Sequence, residues 1–253
     1  MIKFFRKIRK SLLAENKFTK YLAYALGEII LVVIGILIAL AINNWNEGRK
    51  IEAKQKELLA GIVKELTQDI ASHDRMIGMY QGRLKFFERH LQKTDFSNTH
   101  PDTLFKIFDG NAGAHTVSDQ NYQKAKNLGI GQLCSDDSLA IRIDDYYTRT
   151  VGTSKLLFDY DFDMTEKQND FWTGQENLEF HYHTSLAIPF MQDSAEWKAA
   201  AIELITSPLG RNNIKSECLI KEMLLRYNLG VRQSAQLLKD DIEAYLNDSN
   251  SDR

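Results

Sequence analysis

The stretch YLAYALGEIILVVIGILIALAI, residues 21–42, decides the architecture of this chain. No side chain from Ile29 to Ile42 is polar. A helix over residues 21–42 is ~33 Å long, against a hydrocarbon core of roughly 30 Å. Tyr21 and Trp45 flank it, as amphipathic rings at headgroup depth do. The sequence therefore predicts one transmembrane helix over residues 21–43.

Basic residues are distributed unequally around this span. Residues 1–20 contain seven Lys/Arg and one acid, interleaved with Ile, Phe and Leu. This basic amphipathic pattern is typical of a helix lying in the headgroup plane, although a topology signal alone has the same composition. Four basic residues follow within fifteen positions of the span. Because cytoplasmic flanks carry the excess of Lys and Arg, we expect residues 1–20 in the cytoplasm and residues 44–247 outside it.

A cleaved leader is the main alternative to a membrane anchor. Ala39-Leu40-Ala41 has the small-x-small form of a cleavage site. A leader that ends there is about 41 residues long, beyond the usual roughly 15–30. A buried core helix is a further alternative, but it requires a large core around a segment that is apolar on every face. We therefore favour an uncleaved signal anchor.

Three residues of the span are candidates for helix packing within the membrane. Gly35 and Ala39 are four apart and present small residues on one helical face. Glu28 places a carboxylate at a depth where it snorkels toward Lys20 and the headgroups or meets a partner helix. These residues leave open a sensor-like role, with lateral signalling through the span.

Helical periodicity dominates the remainder of the chain. Apolar residues from Leu59 to Leu91 recur at intervals of three or four, which predicts a helix with a packing seam over about residues 45–92. Pro208 and Gly210 are expected to stop one of the later helices. The further predicted helices cover residues 101–108, 118–128, 135–172, 195–206 and 211–247, and residues 248–253 form a disordered tail. We predict an all-α fold: a single N-terminal transmembrane helix followed by an antiparallel bundle of long helices.

Composition and missing motifs exclude several functional classes. The chain is 43% hydrophobic and 26% charged, which argues against wholesale disorder and a polytopic membrane bundle. Residues 29–253 have a net charge of −7, so we expect no nucleic-acid partner. The sequence has no G-x-S-x-G, P-loop, Rossmann or papain-like pattern. We therefore predict no catalytic residue and no cofactor.

Two sets of alternating residues are candidate metal ligands. Glu179, His181 and His183 would share one face of an extended segment, as a zinc or copper site requires. No helix-borne metal motif accompanies them, so an extracytoplasmic metal-dependent enzyme is only an alternative. Asp159, Asp161 and Asp163 also alternate, but the sixth place of a calcium-loop count lacks Gly. We predict that these three form a solvated acidic helix face.

Cys134 and Cys218 are the only thiols in the chain. In an oxidising compartment two external cysteines can form a disulfide, whereas a Cys within a helix also packs as a small hydrophobic residue. Sequence separation does not give the distance between their Cα atoms. Whether they pair is therefore left open.

Two stretches carry a family resemblance. The first is MIKFFRKIRKSLLAENKFTKYLAYALGEIILVVIGILIALAINNWNE, residues 1–47, and the second is TVSDQNYQKAKNLGIGQLCSDDSLAIRIDDYY, residues 116–147. They resemble a family of bacterial single-pass membrane proteins that is known only as a domain of unknown function. The resemblance implies a bacterial inner-membrane protein with a helical periplasmic domain, and it implies no site residues.

These observations favour a non-enzymatic interaction or scaffolding module. The lipid bilayer is its first expected partner, and a membrane or envelope protein or a second copy of the chain is the next. The seam pattern and the lack of catalytic motifs support this hypothesis.

Overall fold

A computed structural model describes residues 18–110, 112–113, 117–180 and 188–251 of the chain. Within these ranges it contains six α-helices and no β-strand. The helices are α1 (Phe18–Leu91), α2 (Pro101–Phe108), α3 (Gln120–Asn127), α4 (Asp137–Thr173), α5 (Ser194–Thr206) and α6 (Pro208–Ser251). The predicted all-α class, with a long apolar N-terminal helix, is confirmed.

The chain divides into two compact units, residues 1–55 and 56–253. In the first unit, every residue of α1 from Ile29 to Ile42 is exposed. α1 is the one helix in the described part of the chain that is long and apolar enough to cross a membrane. Asn43 and Asn44 do not interrupt it, and the Asn43 side-chain amide donates to Glu47 Oε1 at 3.2 Å. The predicted span and the predicted helix that follows it therefore form one continuous helix.

The predicted seam on α1 forms the inner face of the second unit. Leu59, Ile62 and Leu66 are fully buried, and His73, Tyr80, Phe87 and Leu91 are buried with them. The first part of this seam packs into a cluster with α3, α4 and α6 that includes Tyr122, Ile143, Tyr147, Ala235 and Ile242. Each fully buried aliphatic side chain here contributes ~1.5–3 kcal/mol. Burial on the seam therefore holds the helices together.

A second cluster lies at the other end of this unit and is rich in aromatic rings. It contains the end of α1, the short helices α2 and α5, the end of α4 and the start of α6. Its largest members are Phe87, Phe108, Trp172 and Trp197. This cluster forms the floor of the site described below.

The bounds of α2, α3, α4 and α5 agree with the predicted ranges to within two residues, whereas the two ends of α6 do not. Asp136 caps α4, and its carboxylate accepts the Leu139 N–H at 3.0 Å. α5 ends at Thr206, before Pro208, as predicted, whereas α6 begins at Pro208, three residues before its predicted start. The Ser207 hydroxyl accepts the Gly210 N–H at 3.0 Å, and proline is favourable at the first helical position. At the other end α6 continues to Ser251, four residues beyond the predicted end.

Candidate functional site

An aromatic groove of about 730 Å³ opens beside α2 in the second unit. Its size falls within the range of roughly 300–1,000 Å³ that is usual for binding sites. Its walls come from α2, the end of α4, Phe180, Phe190 and the start of α5. Its lining consists of Pro101, Asp102, Phe105, Lys106, Phe108, Asp109, Asn169, Thr173, Phe180, Phe190, Ser194 and Trp197.

The rings of the groove are packed in fixed orientations. Phe105 stacks on Trp197 with 3.9 Å between the ring centroids and 18° between the planes. Phe190 meets Phe105 edge-on at 6.5 Å, and Phe108 meets Phe180 edge-on at 5.6 Å. Such pairs add ~0.5–1.5 kcal/mol each to the burial of their area. The apolar surface of the groove is therefore preformed.

Glu179 forms hydrogen bonds that stabilise the segment between α4 and α5, which is one wall of the groove. Its carboxylate accepts the N–H groups of Met191 at 2.9 Å and Gln192 at 2.7 Å. Its carbonyl accepts the indole N–H of Trp197 at 2.9 Å. Glu179 is the first of the three predicted metal ligands, and His181 and His183 lie outside the described residues. Within those residues, no group of three His, Cys, Asp or Glu side chains is placed to hold a metal ion.

A stripe of charges forms the rim of the groove along α2. Asp102, Lys106 and Asp109 are exposed and lie four and three residues apart. Asp102 and Lys106 lie one turn apart on α2, and Asp109 is the C-cap residue directly after Phe108. Asp102 lies 3.5 Å from the His100 ring, and both side chains are more than 70% exposed. The rim therefore presents an acid, a base and an acid beside an apolar floor.

Arg83 on α1 binds the C-terminal end of α2. Its guanidinium donates to Glu217 Oε1 at 2.7 Å and to the Ile107 carbonyl at 3.0 Å, and it also donates to the Lys106 carbonyl. Its Cζ lies 4.2 Å from the centre of the Phe87 ring. Because the carbonyls at a helix C-terminus lack partners within the helix, Arg83 completes the end of α2 and ties it to α1 and α6.

A buried ion pair joins α4 and α6 further along the bundle. Lys221 Nζ lies 2.8 Å from Asp161 Oδ1, and the two side chains are only 3% and 1% exposed. Asp161 Oδ2 accepts the Tyr80 hydroxyl at 3.3 Å and the Gly113 N–H at 2.9 Å. Burial and the Asp161 carboxylate raise the pKa of Tyr80 above its ordinary value. The carboxylate thus joins α1, α4, α6 and the α2–α3 connection.

This ion pair corrects the prediction of a solvated acidic face. Asp159, Asp161 and Asp163 all lie within α4, where alternate residues point in different directions. Asp159 forms an exposed pair with Lys155, whereas Asp161 is buried. The alternation therefore belongs to a helix and provides no calcium loop.

The remaining predicted site residues do not line the groove. Glu28, Gly35 and Ala39 lie in the apolar part of α1. Spacings of seven and four residues place them on one helical face. Cys134 and Cys218 are free thiols that lie in or against different hydrophobic clusters. Burial raises the pKa of Cys134, and it raises the pKa of Cys218 to about 11.

Sequence reasoning missed the groove because its rings come from separate segments. Phe105 lies on α2, Phe180 and Phe190 lie between α4 and α5, and Trp197 lies on α5. One available signal was the density of aromatic residues between positions 171 and 197. The groove has the features of a binding surface: a preformed apolar floor and a charged rim.

A protein-family model described as a family of unknown function, DUF6090, matches residues 28–172. The match includes α2 with Asp102, Phe105 and Lys106, and it ends before Phe180. No curated protein and no solved structure matches the chain.

Proposed function

Because the chain belongs to DUF6090, a family of unknown function, we propose a role from its own residues: it is a membrane-anchored, non-enzymatic interaction module. The helical unit of residues 56–253 lies in the periplasm of a bacterial cell and binds a segment of a membrane or envelope protein through the aromatic groove. Residues 1–20 lie in the cytoplasm, where the excess of basic residues favours them.

The apolar part of α1 supports the anchor. Its exposed side chains from Ile29 to Ile42 would be costly in water and are favourable in lipid. Carbonate washing of membranes and mass measurement of the mature protein test this step. A chain that begins at Ile42, or one that carbonate releases, would show that the segment is a leader or a peripheral helix.

The groove is the observation that carries the interaction role. Five aromatic rings line an open surface whose geometry is already fixed by stacking and by the Glu179 hydrogen bonds. Aromatic residues are enriched at protein interfaces, because a rigid ring buries a large area with little loss of conformational entropy. Ile188 and Met191, two residues before and one residue after Phe190 in the sequence, are also exposed.

Photocrosslinking in cells tests the groove directly. A photoreactive amino acid replaces Ser194, an exposed residue of the groove, in the full-length chain. The control position is Leu156, which is 68% exposed on α4 and outside the groove. We expect one protein adduct of defined mass at position 194, none at 156, and loss of the adduct when the larger side chain of Thr173→Arg fills part of the groove. Equal adducts at both positions, or an adduct that survives Thr173→Arg, would overturn the proposal.

A further inference from the structure

The charged rim narrows the class of partner. Resting on the proposed function, we infer that the groove docks an amphipathic helix of a partner protein, with basic, acidic and basic residues at positions i, i+4 and i+7 along one polar edge. The apolar face of this helix covers the floor formed by Phe105, Phe180 and Phe190.

The first step is that the rim charges are available to a partner. Within residues 18–110, 112–113, 117–180 and 188–251, Lys106 and Asp109 make no ion pair. The contact of Asp102 is with His100, which attracts the carboxylate only when the imidazole is protonated. All three rim side chains therefore retain charge that a partner can pair.

The second step is the spacing of these charges. Asp102 and Asp109 are seven residues apart, which is ~10.5 Å along a helix axis. A partner helix beside α2 repeats this interval at i and i+7 on one face. An extended chain covers the same distance between residues i and about i+3. The side chains of these two residues point to opposite sides of the strand. The rim therefore matches a helix better than a strand.

The third step is the charge order. Acid, base and acid read the same in both directions, so a base, acid and base order on the partner complements the rim in either orientation. The spacing on the partner is i, i+4 and i+7 for a parallel helix and i, i+3 and i+7 for an antiparallel one. Residues 56–253 contain 30 acidic and 22 basic residues, which also attracts a partner with net positive charge. Apolar burial on the groove floor would supply affinity, and the rim would supply selectivity.

Calorimetry on the full-length protein in detergent micelles tests this inference. The matched probe is a synthetic amphipathic peptide with Lys, Glu and Lys at i, i+4 and i+7 beside a Leu- and Phe-bearing face. A second probe has the same apolar face with Glu, Lys and Glu. A third is the matched peptide with a central proline, which interrupts its helix. We expect the matched peptide to bind about tenfold more tightly than the charge-reversed peptide, with the difference lost at high salt.

Variants of the rim complete the test. Asp102→Lys together with Asp109→Lys should reverse the preference between the first two peptides. Asp145→Lys, an exposed change on α4 outside the groove, should leave it unchanged. Tight binding by the proline-containing peptide would overturn the inference that the partner segment is a helix. The two charge patterns could instead bind equally, with Thr173→Arg abolishing the binding of both peptides. That result would overturn the inferred charge pattern of the partner and leave the proposed function standing. The proposed function itself is tested separately, by the crosslinking experiment at position 194.

Discussion

Gly61 on α1 leaves the space that the Asn121 side chain occupies at the start of α3: a Cβ atom on Gly61 would lie 2.5 Å from Asn121 Cγ. Asn121 uses this position to bind Glu65, to which its N–H donates at 3.1 Å and its side-chain amide at 2.8 Å. The glycine thus allows α3 to pack on α1.

We expect Gly61→Ala to lower the free energy of unfolding by ~1–3 kcal/mol, because the added methyl group displaces Asn121. Gly78→Ala is the matched control: Gly78 is exposed on the same helix, and within the described residues no neighbouring atom lies within 4 Å of the position that its methyl group would take. It should raise stability by ~0.5–1 kcal/mol through helix propensity. Urea unfolding in detergent, followed by circular dichroism, measures both. Shifts of the same sign would contradict the packing argument.

Lys221→Met should cost ~3–5 kcal/mol, because it leaves the Asp161 carboxylate buried without its cation. Adding Asp161→Asn should recover much of this loss, since an amide oxygen still accepts from Tyr80 and Gly113. Lys155→Met removes the exposed partner of Asp159 and should change stability by less than ~0.5 kcal/mol. The same unfolding experiment checks the three variants, and a double variant as unstable as Lys221→Met would argue against a charge effect.

Arg83→Lys keeps the charge but removes the planar fork that binds Glu217 and the α2 carbonyls. We expect a loss of ~1.5–3 kcal/mol and faster amide hydrogen exchange in α2 than in α3. Exchange measured by mass spectrometry resolves the two helices. Arg149→Lys, on the exposed face of α4, is the control. Unchanged protection of α2 would mean that Arg83 does not hold this helix.

Glu65→Gln should make stability less dependent on pH. Burial raises the pKa of Glu65, and the nearby Asp69 and Asp119 carboxylates raise it further. The folded state therefore binds this proton more tightly than the unfolded state does. The stability that Glu65 contributes to the wild-type protein is present below its unfolded-state pKa and is lost as pH rises through its folded-state pKa. We expect the Tm of Glu65→Gln relative to wild type to increase from about pH 4 to about pH 8. The exposed Glu88→Gln should show no such trend, and a trend of opposite sign for Glu65→Gln would refute the assignment.

Both thiols should react slowly in the folded protein. A pKa of about 11 for Cys218 leaves ~0.1% thiolate at about pH 8, and Cys134 is buried. We expect alkylation by iodoacetamide to accelerate at least ~100-fold on unfolding. Intact mass after unfolding without reductant should show two added groups. An unlabelled chain that is two hydrogens lighter would instead demonstrate a disulfide.

The helices could be predicted from sequence because their signals are local. The seam from Leu59 to Leu91 and the helix Pro101–Phe108 follow from periodicity and from proline at a helix start. The predicted end of α5 before Pro208 is confirmed, but the predicted start of α6 lies three residues too late, because Pro208 itself begins the helix that the Ser207 hydroxyl caps.

The groove and the buried ion pair depend on distant residues, which periodicity does not bring together. Asp161 and Lys221 are 60 positions apart, and each alone resembles an exposed charge on a helix. Phe105 and Trp197 are 92 positions apart and meet only when α2 packs on α5.

Trp197 gives the groove an intrinsic optical reporter. It is 2% exposed and stacked on Phe105, whereas Trp45 is 65% exposed in the first unit and Trp172 is buried beside Phe108. Changing Trp45 and Trp172 to Phe would leave one indole emitter, and a shift of its emission would report a change in its packing against Phe105 when a partner occupies the groove, without any attached dye.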